Sequence, residues 1–307
     1  MSDTVNLASD GKTIGFVGLG VMGGPMAKHL LTAGYKVQAY NRTKARAEKW
    51  HAGLGDLSRN AVLAETPKEA AAGADFVMAC VGNDDDLRSV VYGDDGILSG
   101  LAAGTVFTDH STVSATVAKE IAEKAAQQHI GFIDAPISGG EAGAVNGVLT
   151  IMCGGDQAVF DQVSPVYEAY GRTIRLLGDV GSGQLAKMSN QVAIAGVLQG
   201  LSEAILLAER SGLDVKAMLD VISQGAAGSW QMDNRGKTMN DRQFDFGFAV
   251  DWMRKDLGIV LDQAKTVGVG LPLTAQIDQF YSDVQALGGG RYDTSSLITR
   301  LDQFKKA

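Results

Sequence analysis

Through the first 180 residues, short apolar runs alternate with stretches whose apolar positions recur every three or four residues. The runs fall at residues 13–17, 35–40, 61–64, 75–81, 105–108, 131–134, 149–153 and 173–177. Runs of this length separated by helical patterns predict strands joined by crossover helices, hence a mostly parallel, doubly wound α/β sheet covered on both faces. The pattern changes at residues 178–183 (GDVGSG), and beyond Gln184 no run reads as a strand. A helical pattern covers about 184–211, with Leu185, Met188, Val192, Ala195 and Leu198 on one face, and would span roughly 40 Å at 1.5 Å per residue. Further helices are expected near 215–225, 248–267 and 275–287. The chain therefore divides into an α/β domain at 1–178 and an all-α domain at 179–307, with a long helix leading from the first into the second.

The segment 13–43 carries the first chemistry. A strand (Thr13–Val17) ends at Gly18, with Gly20 and Gly23 following; an amphipathic stretch (Met26, Ala27, Leu30, Leu31) then runs to Gly34, and a second strand follows. In a strand–turn–helix context these glycines have separate tasks: the tight turn, close approach of backbone to a pyrophosphate, and packing of helix on sheet. The helix N-terminus faces the phosphates. A bare G-x-G-x-x-G means little in a chain with 39 glycines, and it is the flanking pattern that gives a Rossmann-type dinucleotide site. The loop residues Leu19, Val21 and Met22 belong to it. At the end of the second strand an NAD site usually has an acidic residue for the ribose 2′-hydroxyl. Here Asn41-Arg42-Thr43 stands instead, with no charge to repel a 2′-phosphate and a guanidinium to pair with one, so NADP(H) is favoured with NAD(H) possible.

Length and charge narrow the class. At 307 residues two domains are the prior, and 45% hydrophobic content suits a real core. A net charge of −8 disfavours nucleic acid and anionic membranes as partners. The opening MSDTVNLASDGK lacks a basic and apolar signal pattern and reads as a short tail, giving a cytoplasmic expectation. The most apolar helical stretch, 192–208, is interrupted by Gln199, Ser202 and Glu203, unlike a bilayer span. Cys80 and Cys153 read as buried free thiols. The four histidines have no metal-ligand spacing, so no metal is expected.

Three further motifs bear on catalysis. DAPISGG (134–140) is a strand end passing into a glycine-rich turn whose N–H groups suit a small carboxylate. GQLAKMSNQ (183–191) puts Lys187 and Asn190 three apart on the long helix, near the expected domain junction where ligand clefts concentrate. Lys255-Asp256 sits in AVDWMRKDL (249–257). Taken alone, each has a bland alternative: a tight connection, a solvated lysine, a charged helix face.

Together, GFVGLGVMGGPMA, DHSTVSA (109–115), DAPISGG, GQLAKMSNQ and KDL (255–257) resemble the β-hydroxyacid dehydrogenase family across nearly the whole chain. The resemblance implies Lys187 as the catalytic lysine and Asn190 as an asparagine that helps hold the substrate. It implies Ser138, Gly139 and Gly140 as the substrate-carboxylate loop, with Ser111 and Thr112 near the nicotinamide and Lys255 lining the cofactor or substrate cleft. Val81, closing the fourth run, joins the cofactor set. The family often has two asparagines where this chain has Asn190-Gln191. The implied reaction is hydride transfer between a nicotinamide cofactor and a small 3-hydroxy acid or its semialdehyde, in a homodimer or homotetramer. A lysine is a poor base at neutral pH, so the role requires burial and the charge of the oxidised cofactor to weaken its hold on the proton. His110 is expected near the site or in a structural role, and Trp230 in the pocket or the core.

Overall fold

The structure, a computed structural model, describes residues 11–303, so the tail expected at the N-terminus lies outside the described residues. Its internal contacts divide it into two compact units, the break falling between Lys187 and Met188 inside one helix.

The first unit is a sheet with helices on both faces. Its strands are β1 (Thr13–Val17), β2 (Lys36–Tyr40), β3 (Ala61–Leu63), β4 (Phe76–Ala79), β5 (Val106–Asp109), β6 (Gly131–Asp134), β7 (Ile137–Ser138), β8 (Leu149–Gly155) and β9 (Gly171–Leu176). They lie in the order β3-β2-β1-β4-β5-β6-β8-β7, with β9 also paired to β8. All pairs from β3 to β6 are parallel. β8 runs antiparallel to both β6 and β7. The sequence pattern located eight of these strands to within a few residues; β7 was read as part of a turn, because two residues give no periodicity. The helices are α1 (Gly23–Thr32), α2 (Lys44–Ala52), α3 (Pro67–Ala71), α4 (Asp84–Val91), α5 (Ile97–Gly100), α6 (Ala115–Ala126), α7 (Gly140–Val145) and α8 (Gln157–Tyr167).

Strand alternation divides the core between the faces. Ile14, Phe16, Phe76 and Met78 pack with Leu30, Tyr35 and Tyr167 on one side. Val17, Val77, Ala79 and Phe107 pack with Val117 and Ile121 on the other. The chain leaves the β3 edge and returns beside β1 as β4, so the winding reverses between β1 and β4, and the carboxyl ends of those strands flank a crevice.

The helix α9 (Ser182–Arg210, 29 residues) leads into the second unit, followed by α10 (Val215–Ile222), α11 (Trp230–Asn240), α12 (Val250–Val267), α13 (Pro272–Ala286) and α14 (Ile298–Leu301). Its core gathers Ala195, Leu198, Leu201, Ile205, Met239, Met253, Leu257, Ile277, Tyr281 and Ile298. α11 escaped the sequence reading because most of its residues are polar. Ser229 caps it by accepting from the Met232 N–H, and Met232, Gly236 and Met239 form a narrow buried stripe. By length and composition α9 could cross a membrane, yet 44% of its most apolar window is buried inside the protein, as in a core helix. The face expected of its first turns needs correction. Leu185 is exposed, and the buried stripe runs Gln184, Lys187, Met188, Gln191, Ala195, Leu198. Three polar residues thus occupy positions that packing alone would give to apolar ones.

Candidate functional site

The cofactor crevice begins at the end of β1. Gly18 has φ +100°, and a Cβ there would overlap the Cys80 carbonyl oxygen beyond β4. A Cβ on Gly23 would overlap the Gly18 carbonyl oxygen, so α1 packs hard against the turn. Gly20 differs: an added Cβ would meet nothing within 4 Å. Among the described residues no neighbour requires glycine there, and the open space leaves room for a phosphate to approach the backbone. The N-terminus of α1 has no side-chain cap and no acidic residue in its first turn, leaving its field open to an anion. These features fit a bound dinucleotide pyrophosphate.

Asn41 serves this loop rather than presenting a free amide. Its Oδ1 accepts from the Leu19 N–H at 3.0 Å and its Nδ2 donates to the Thr43 carbonyl at 3.0 Å, tying the end of β2 to the glycine turn. Leu19 is buried and anchors the loop in the core, whereas Val21 is exposed and Met22 half-buried. Arg42 is exposed, and its Nη1 lies 2.6 Å from Asp86 Oδ1 on α4. Thr43 precedes α2 without capping it through its side chain.

Across the crevice, Ser111 Oγ accepts from the Val81 N–H at 2.8 Å, and Ser111 N–H donates to Asp109 Oδ1 at 3.0 Å. Ser111 is buried, so here its hydroxyl joins the β4 and β5 loops instead of facing outward. Thr112, beside it, is half-buried.

The start of α9 is bolted to the ends of β5 and β6. Asp134, fully buried, accepts from Gly181 N–H at 2.7 Å and Gln184 N–H at 2.9 Å. Gln184 Oε1 accepts from Val113 N–H at 3.1 Å while its Nε2 donates to the Ser111 carbonyl at 2.9 Å. Lys187 follows on the same buried stripe, and its Nζ donates to the Ile137 carbonyl at 2.9 Å. That carbonyl immediately precedes Ser138, Gly139 (φ +132°) and Gly140 (φ +62°), so the amine stands against the glycine turn. Only glycine takes both of these backbone conformations without strain. A Cβ on Gly140 would again meet open space. Behind the turn, His29 Nε2 of α1 lies 3.1 Å and 3.0 Å from the Ala144 and Val145 carbonyls, at the far end of α7.

Asp134 and Gln184 are positioning residues that the sequence reading did not single out; the motifs containing them were the available signal. Asp109 and Asp134 lie in register on β5 and β6. Burial pushes each up to about 7, against the opposite pull of the N–H groups they accept from. His110 is structural: burial pulls it down to about 4, and its ring nitrogens lie 2.7 Å from the Ala135 carbonyl and 2.9 Å from Tyr170 Oη. Cys153 is buried in β8 and Cys80 half-buried just past β4.

In the second unit Asn190 Nδ2 donates to Gln191 Oε1 at 2.8 Å, and Gln191 Nε2 donates to Asp256 Oδ2 at 2.7 Å. Lys255 Nζ lies 2.8 Å from Asp256 Oδ1. The four residues form one polar chain between α9 and α12, in which Gln191 gives Asn190 a fixed partner. Trp230 is exposed, not in the core, and stacks with the Arg235 guanidinium at 5.3 Å.

Comparison with known proteins agrees with this layout. The family described as the NAD binding domain of 6-phosphogluconate dehydrogenase matches residues 13–178. The family described as NAD-binding of NADP-dependent 3-hydroxyisobutyrate dehydrogenase matches residues 181–301. An uncharacterized oxidoreductase of Shewanella frigidimarina is 57% identical over 94% of this chain and 98% of its own length. The 2-hydroxy-3-oxopropionate reductase of Escherichia coli is 34% identical over 94% of this chain and 97% of its own. The structure of Mycobacterium tuberculosis 3-hydroxyisobutyrate dehydrogenase with L-serine superposes with a TM-score of 0.82 at 30% identity, covering 95% of this chain and 99% of that one. With both halves matched in order, the chain belongs to the β-hydroxyacid dehydrogenase family and is an NAD(P)-dependent oxidoreductase of hydroxy acids.

Proposed function

We propose that the protein interconverts a small 3-hydroxy acid and its semialdehyde, with NADP(H) preferred over NAD(H). The observation that carries the reading is the buried Lys187 amine, 2.9 Å from the Ile137 carbonyl and beside the Ser138–Gly140 turn. The turn binds the substrate carboxylate, which brings the hydroxyl carbon within reach of Lys187. Bound NADP⁺ supplies the hydride acceptor. In alcohol oxidation Lys187 takes the hydroxyl proton as the C–H hydride departs, and in reduction it returns that proton to the carbonyl oxygen. Asp134 and Gln184 keep the amine in place, and Asn190, held by Gln191, carries the substrate-holding role implied by the family. Two relatives named for small hydroxy acids or their semialdehydes support the substrate class. Arg42 supports the NADP preference.

A glyoxylate or succinic semialdehyde reductase is the second reading, left open because Gln191 stands where the family often has another asparagine and so alters a polar contact implied for the substrate. Imine reduction on this fold is disfavoured by Lys187. The net charge of −8 argues for small-molecule partners and a cytoplasmic setting, and exposed Val197, Leu207 and Leu273 argue for a homodimer or homotetramer. The test is a panel of 3-hydroxyisobutyrate, serine, glycerate, 4-hydroxybutyrate and the matching semialdehydes, assayed with both cofactors on the parent and on Lys187→Met. A kcat loss of roughly 10² to 10⁴ with cofactor affinity kept is expected. Retention of more than about a tenth of parental kcat would refute the assignment of Lys187.

A further inference from the structure

Arg42 is already engaged before any nucleotide arrives. Its guanidinium meets Asp86 Oδ1 at 2.6 Å, with the Arg42 side chain 74% exposed and that of Asp86 24% exposed. Asp86 is one of three consecutive carboxylates in the first turn of α4, and their environments differ sharply. Asp84 accepts from the Ser114 N–H at 2.9 Å and the Ser114 hydroxyl at 2.5 Å, holding α4 against α6. Asp85 is 97% exposed and makes a long 3.6 Å contact with Arg88. Asp86 alone of the three turns to the residue that follows the end of β2. Its own backbone is fixed independently, through the Asn83 side chain, so its carboxylate is not needed to cap the helix.

The geometry points to Asp86 as a specificity-determining residue. It competes with the 2′-phosphate of NADP(H) for the Arg42 guanidinium and so moderates the selection of NADP(H) over NAD(H). A dianionic 2′-phosphate placed on Arg42 must displace or share with Asp86, and it meets that carboxylate's charge at short range. NAD(H), with a neutral 2′-hydroxyl, bears neither cost. The inference rests on Arg42 as the 2′-phosphate partner, and the experiment separates the two.

NADPH and NADH are titrated by nicotinamide fluorescence, without substrate, on the parent protein and on Asp86→Asn, Asp85→Asn and Arg42→Ala. Circular dichroism verifies the fold of each. An exposed ion pair contributes up to about 1 kcal/mol, so Asp86→Asn is expected to tighten NADPH binding by about fivefold and to change NADH binding less than twofold. Asp85→Asn removes the same charge from the same turn without touching Arg42, and should change NADPH binding less than twofold. Unchanged or weaker NADPH binding in Asp86→Asn would overturn the competition, since the carboxylate would then be idle or orienting Arg42 for the phosphate. Equal tightening in Asp85→Asn would overturn it in favour of a diffuse charge effect. Unaltered NADPH binding in Arg42→Ala would overturn it through its premise.

Discussion

Asp134 anchors the first turn of α9, and Asp134→Asn tests whether that anchor positions Lys187. The carboxylate is fully buried and accepts from two N–H groups, those of Gly181 and Gln184. Asparagine keeps the shape and one acceptor but turns an NH₂ toward the second N–H. One hydrogen bond is lost and a buried donor is stranded, a cost of about 1–3 kcal/mol. An opposing effect depends on pH. Burial raises Asp134 from the ordinary 3.8 to about 7, so between those values the unfolded chain ionises this carboxyl while the fold retains its proton. The parent protein therefore loses about 1.4 kcal/mol of stability per pH unit across that window from this group, and nothing further above it. Asparagine does not titrate. The destabilisation caused by Asp134→Asn should accordingly shrink by about 3 kcal/mol between pH 5 and pH 8, measured by urea unfolding of both proteins. The effect on turnover should not shrink in parallel, because a shifted first turn displaces Lys187 at either pH, and a small misplacement costs about tenfold or more in kcat. A pH-independent stability difference would refute the buried, proton-retaining state of Asp134. An unchanged kcat would refute its positioning role.

The glycines of the first turn should separate function from folding. Gly20→Val is expected to leave the thermal midpoint near the parent's and weaken NADPH binding at least tenfold in fluorescence titration, whereas Gly18→Ala and Gly23→Ala should lower the midpoint because backbone oxygens occupy the space. Gly183→Ala should destabilise by more than about 2 kcal/mol in urea unfolding, since its Cβ would overlap the Met152 carbonyl oxygen and lie 2.6 Å from that of Asp134. Asp109, pushed up to about 7 chiefly by burial, loses stability over the same pH window as Asp134, so Asp109→Asn should remove its own share of the fall in stability between about pH 4 and pH 7, about 1.4 kcal/mol per pH unit, in the same measurements.

Local patterning was enough for the alternation of strands and helices, the change to an all-helical second half and the glycine turn. These are local signals: period-two and period-3.6 patterning and the special backbone of glycine are written in consecutive residues. Motif order also singled out Lys187 and the 138–140 turn together, while the distance from the Lys187 amine to the Ile137 carbonyl needed the fold. The features that patterning missed involve residues far apart in the chain. β7 exists because β8 returns antiparallel beside it; the pairing supplies what two residues cannot. α11 exists because Met232, Gly236 and Met239 find a core to enter. The inward face of α9 was misjudged at Leu185 because apolar periodicity assumes that packing chooses the buried stripe. There Gln184, Lys187 and Gln191 are buried by their hydrogen bonds to the Ser111–Val113 loop, the Ile137 carbonyl and Asp256. Asn41, singled out for the cofactor, braces Leu19, and Arg42, singled out for a 2′-phosphate, meets Asp86, 44 residues along the chain. Hydrogen-bond partners 22 to 73 residues apart leave no trace in local composition, so Lys187 and Asn190 could be named from the sequence, whereas Asp134 and Gln184, known there only as members of motifs, and the bonds that join them needed the fold.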